Sequence, residues 1–200
     1  MNNTLTDIID LEWEAFQSVH NLGGRASCQN DRITFFIMRK SQFLTWNEET
    51  RTRYLQDLLL AKEKGRNLLE EKYARMMEHT APDEYARFMH SLPRVADETK
   101  KLIEDIVSIQ LKWHKDYVQC YPRLAARARP VDQTGNTLET SFETYLRGEL
   151  LTYSPETLQT YAAHIRHQNE LGKNMSIETM ENTAKMYGYA SATEAEKETY

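Results

Sequence analysis

A carboxylate inside an apolar helical stripe is costly unless something answers its charge, and this chain has two. Glu12 falls between Ile8, Phe16 and Val19, and Glu149 shares a helical face with Phe142, Leu146 and Tyr153. Arg39 and Gln42 lie on the face that carries Phe35, Phe43 and Trp46, and Gln110 sits between Ile106 and Trp113. Two readings fit. In one, a buried pair such as Glu12 with Arg39 fixes helix register. In the other, these residues form the polar floor of a cavity, with Glu12 or Glu149 as general acid or base.

Basic residues gather in two loops. One holds Arg25 within 21–29, and the other holds Arg123, Arg127 and Arg129 within 122–130. Guanidinium groups bind carboxylates and phosphates as a bidentate fork. Arg25, Arg39, Arg127 and Arg129 are therefore the candidate holders of an anion, with Gln42, Gln110 and Tyr145 as further ligand contacts. The plainer reading of the loop arginines is solvated charge. The Gly23-Gly24 pair allows close backbone approach, but the string GGRASC is not a phosphate-loop pattern. Cys28 follows that loop near a predicted helix start, where a thiolate is favoured, so it is a candidate nucleophile; the alternative is a small core cysteine. His164, His167 and Glu170 share a face, yet no second ligand edge and no HExxH string accompany them. No metal and no cofactor are expected. Glu143 reads as a helix cap, and the charged run 70–75 as i,i+4 pairing on a wet face.

The elements that must position these residues come twice. Residues 35–67 lie on 142–174 without a gap at a shift of 107, with nine identities over 33 positions. They include Thr45/Thr152, Tyr54/Tyr161, Gly65/Gly172 and Asn67/Asn174. Unrelated sequences would share roughly two. Upstream, 7–12 lies on 105–110, and downstream Glu71, Ala74 and Met76 lie on Glu181, Ala184 and Met186. Apolar spacing and capping residues predict four helices per copy. The first copy has them over about 7–20, 31–46, from Asn47 to Gly65, and from Asn67. The second has them over about 97–120, 141–153, from Ser154-Pro155 to Gly172, and from Asn174. Short helices follow Pro82 and Ser191. No segment alternates with period two. The expected fold is all-α: one domain over 1–200, with a first repeat at 5–90 and a second at 97–198, seamed near Leu92-Pro93. The two units should pack about a pseudo-twofold axis, with a pocket at their junction.

Composition narrows the functions. A net charge of -5 argues against phosphate-backbone binding, so no nucleic acid partner is expected. No apolar run reaches membrane-spanning length, and the acidic start is unlike a signal peptide. No membrane partner is expected, and the cytoplasm is the default location. Two cysteines without CxxC spacing form no disulfide framework.

Three strings, residues 24–29, 65–77 and 140–149, resemble a bacterial family, domain-of-unknown-function family 4125. The resemblance spans nearly the whole chain and implies a bacterial, cytoplasmic protein. It brings no reaction, cofactor or catalytic residue with it. The residues themselves favour a small anionic molecule or peptide carboxylate bound between the copies, with Glu12 and Glu149 as candidate catalysts should the protein be an enzyme. The rival expectation is an interaction module that offers a helical groove to a protein partner.

Overall fold

The computed structural model describes residues 4–20, 24–131 and 140–199. The described residues form eleven α-helices and no strand, as expected of an all-α chain. They are α1 (Thr4–Gln17), α2 (Arg32–Leu44), α3 (Glu48–Glu63), α4 (Leu68–Thr80), α5 (Pro82–Phe88), α6 (Asp97–Cys120), α7 (Pro122–Ala125), α8 (Phe142–Leu150), α9 (Pro155–Glu170), α10 (Met175–Met186) and α11 (Ala192–Glu198). None is long and apolar enough to cross a membrane.

Helix ends follow local chemistry. Asp31, Asn47, Asn67, Ser141, Ser154, Asn174 and Ser191 each accept a backbone N–H from the first turn of the helix they precede. The ends of α3 and α9 need a left-handed residue, and Gly65 (φ 66°) and Gly172 (φ 68°) supply it. Arg66 N–H then reaches back to Ala61 O at 2.8 Å, and Lys173 N–H to Gln168 O at 3.0 Å. Three expectations need correction. α1 stops at Gln17 rather than near residue 20, and a 3-10 turn, Ser27–Asn30, precedes α2. Ser141 caps α8, while Glu143 pairs with Arg147 one turn on instead of capping. The run 70–75 is not all wet: Lys72 and Arg75 are buried.

At the centre α3 packs on α9; α1 lies on α3 and α6 on α9, while α4 crosses α8 and α10 crosses α2. Aromatic rings fill the middle. Tyr54 and Tyr153 have centroids 4.8 Å apart, Trp46 and Tyr161 4.5 Å, and Trp46 and Tyr153 6.1 Å. Polar contacts recur at two of the shifts found in the sequence, those that lay 35–67 on 142–174 and 7–12 on 105–110. Asn67 Nδ2 donates to Ala15 O (2.7 Å), and Asn174 Nδ2 to Trp113 O (3.0 Å). Thr45 and Thr152 donate their hydroxyls to Gln42 O and Glu149 O, both at 2.7 Å. Tyr54 Oη donates to Glu12 Oε1 (2.7 Å), and Gln110 Nε2 to Tyr161 Oη (3.2 Å).

Candidate functional site

A partly open cavity of about 870 Å³ runs between α2, α4, α6, α8 and α10. That volume is in the range that holds a small organic molecule. Its wall includes Glu12, Cys28, Arg39, Gln42, Gln110, Arg127, Arg129, Tyr145 and Glu149, which sequence reasoning had named from scattered segments. Arg25 is elsewhere: it bonds the side chains of Gln17 and Asn30 and the carbonyl of Gln29, tying the 3-10 turn to α1. Gly23 lies outside the described residues.

The deepest part of the wall is a charge network. Arg39 clasps Glu12 in a fork, Nε to Oε2 and Nη2 to Oε1, each at 2.6 Å. Its Nη1 donates to Gln42 Oε1 (2.7 Å), and Nη2 also reaches Glu149 Oε1 (3.1 Å). Glu149 Oε1 accepts the Tyr153 hydroxyl at 2.8 Å, and its Oε2 faces Lys72 Nζ at 3.4 Å. Lys72 also donates to Tyr145 Oη at 2.7 Å. Two carboxylates thus meet two cations, all four groups buried. Burial disfavours the Glu149 charge, but Arg39 and Lys72 outweigh it and hold the carboxyl at about 2. Burial likewise opposes the Lys72 charge, and Tyr145 and Glu149 outweigh it, raising its pKa above the ordinary lysine value. Such a Glu149 is ionised at neutral pH and a feeble base, suited to electrostatic positioning more than to proton transfer.

Lys72 comes close because α8 approaches α4 at Gly148. A Cβ there would sit 2.8 Å from Met76 Cγ and 3.0 Å from Lys72 O. Sequence reasoning missed Lys72, although Leu68, Lys72 and Met76 follow one another at four-residue steps within an apolar stripe. It also missed His114 and Tyr117, two further buried residues of the cavity wall.

The rim is basic. Arg127 and Arg129 are exposed there, Arg129 over the Tyr145 ring (4.9 Å) and bonded to Thr140 O (3.4 Å). Among the described residues the wall carries four cations (Arg39, Lys72, Arg127, Arg129) against three carboxylates (Glu12, Asp31, Glu149), in a chain of net charge -5. Cys28 is exposed at the cavity rather than packed in the core, and Cys120 is exposed as well. Asp31, not the thiol, occupies the N-terminus of α2 through Thr34 N–H (2.9 Å). His164 is bonded to Thr45 O at 2.8 Å.

An all-helical protein with a charged, partly open cavity is the class that these features define. The chain belongs to the family described as protein of unknown function (DUF4125), whose model matches residues 2–197. No curated protein and no solved structure matches it.

Proposed function

We propose that the cavity binds a small anionic molecule, and that it lies between two diverged copies of one helical unit related by a pseudo-twofold axis. The single observation that carries the binding reading is that, among the described residues, cations outnumber carboxylates around a partly open cavity in an acidic chain. Glu12, Arg39, Glu149 and Lys72 answer one another, so they form a rigid floor. The anion then belongs to the rim, to the exposed Arg129, with Tyr145 beside it. The duplication reading draws on the paired contacts of Asn67 and Asn174, and on crossings that swap between halves, α4 on α8 and α10 on α2. Catalysis by Glu12 or Glu149 gains no support from a network in which both are fully engaged.

Thermal-shift titration with inorganic phosphate, citrate and succinate tests the binding reading. At least one anion should raise the Tm of the wild type saturably, and Arg129→Ala should cut that rise by more than half. No saturable rise with any of the three, or a rise untouched by R129A, removes the rim from the reading. The interaction-module reading has one observation in its favour, the exposed apolar side chains of Ile33 (75%) and Leu44 (43%) on α2. It predicts no anion effect at all.

A further inference from the structure

α6 carries two polar side chains where its counterpart carries apolar ones. In the register that lays Asp7 on Asp105, His114 takes the place of Phe16, and Tyr117 that of Val19. Phe16 and Val19 are buried in an apolar cluster with Leu69. His114 and Tyr117 are equally buried, 7% and 3% exposed, with ring centroids 5.3 Å apart, and both border the cavity. Neither His114 Nε2 nor Tyr117 Oη has a hydrogen-bond partner among the described residues. Buried polar atoms are as a rule paired, and leaving one unanswered is costly. Apolar groups at the matching places, Phe16 on α1 and Val19 just past its end, indicate that packing alone has no need of these polar atoms.

The imidazole is held in place. It stacks on Phe142 with centroids 3.8 Å apart and planes 5° from parallel. The ring lies beside the Arg129 backbone, which joins it to the basic rim. Burial keeps the ring neutral at physiological pH.

Resting on the anion site described above, we propose that His114 Nε2 and Tyr117 Oη recognise a hydroxyl or N–H group on the same ligand. The substrate class is then an anion that carries a hydrogen-bond donor, such as a hydroxy acid or a polyol phosphate. His114 accepts from the donor, and Tyr117 donates to or accepts from the same part of the ligand. A site built to bond a hydroxyl discriminates strongly against the analogue that lacks it.

The test is calorimetric titration of the full chain with two matched pairs, glycerol 3-phosphate against propyl phosphate and glycerate against propionate. The phosphate and carboxylate arms separate the two sources of anion. In the wild type the hydroxylated member of at least one pair should bind ten-fold or more tightly than its partner. Tyr117→Phe and His114→Phe should reduce that ratio below about three-fold, while R129A weakens both members. Ligand-free Y117F, which loses one oxygen and keeps the ring, should melt no lower than the wild type. Equal binding of both members, or a preference untouched by Y117F and H114F, overturns this inference and leaves the rim site standing. A fall in the Tm of ligand-free Y117F by more than about 4 °C reveals a structural partner for the hydroxyl and also overturns it. If none of the four compounds binds, the anion site and this inference fall together.

Discussion

Arg39 and Glu12, 27 residues apart in sequence, meet in a bidentate pair whose carboxylate also accepts the Tyr54 hydroxyl. The pair joins α1 to α2, and through Glu149 it joins both to α8. Breaking such a pair from one side leaves a buried charge unanswered, whereas replacing both partners can cost little. Arg39→Leu or Glu12→Gln alone should therefore lose about 3 kcal/mol or more in urea denaturation. The double variant E12Q/R39L copies Gln110 and Leu146, the residues that the sequence alignment lays on these positions. It should recover at least half of the loss; strict additivity of the two single changes would contradict the pairing.

The charge network sets an acid limit. The folded-state pKa of Glu149 is about 2, below its ordinary value of 4.5. A depressed carboxylate stabilises the fold fully above its unfolded pKa, and that contribution drains away as pH falls from about 4.5 toward 2. The amount is on the order of 3 kcal/mol. Comparing urea stability at pH 5 and pH 3 should show a steep loss in the wild type and a shallower one in Glu149→Gln. Parallel slopes would mean that Glu149 is not held by Arg39 and Lys72.

His114 acts in a separate window. Burial lowers its folded-state pKa from 6.5 to about 4. The unfolded chain therefore takes up a proton that the folded chain refuses as pH drops below about 6.5, and stability falls over that range. H114F should abolish this component between pH 7 and pH 4.5 while keeping the later one from Glu149. A wild-type profile flat from pH 7 to 5, with the same flatness in H114F, would contradict the assignment.

Gly148 lets α4 and α8 approach. Alanine ordinarily strengthens a helix interior by up to about 1 kcal/mol over glycine. Here the added Cβ would meet Met76 Cγ and Lys72 O, so Gly148→Ala should instead destabilise by about 1–3 kcal/mol. A stabilised G148A would show that the crossing has room to spare.

Asn67 and Asn174 should prove interchangeable in their effects. Each caps a helix and bonds a backbone carbonyl, Asn67 that of Ala15 on α1 and Asn174 that of Trp113 on α6. Alanine at either should cost about 1–2 kcal/mol, equal to within about 0.5 kcal/mol. Unequal costs would weaken the reading of two related halves.

Helix identity was legible because caps and terminators are local. Asn47, Asn67, Ser154 and Asn174, followed by Gly65 and Gly172, mark their boundaries within a few residues. The cavity wall was legible for a different reason, since polar residues in apolar stripes stand out against helical period. Arg25 did not follow, because a loop arginine carries no periodic signal and its partners Gln17 and Asn30 are a matter of loop path. Lys72 was hidden by its charged neighbours Glu70, Glu71 and Arg75, which made one buried lysine look like part of a wet face. Nothing local sets His114 and Tyr117 apart in the sequence, and only the comparison with Phe16 and Val19 marks them as polar substitutions.

The most direct measurement is calorimetric titration of inorganic phosphate into the wild type and into Arg129→Ala. One saturable site in the wild type, weakened at least ten-fold in the folded variant, is the predicted result. Identical isotherms for the two proteins, or no saturable heat in the wild type, would contradict a basic rim that holds an anion.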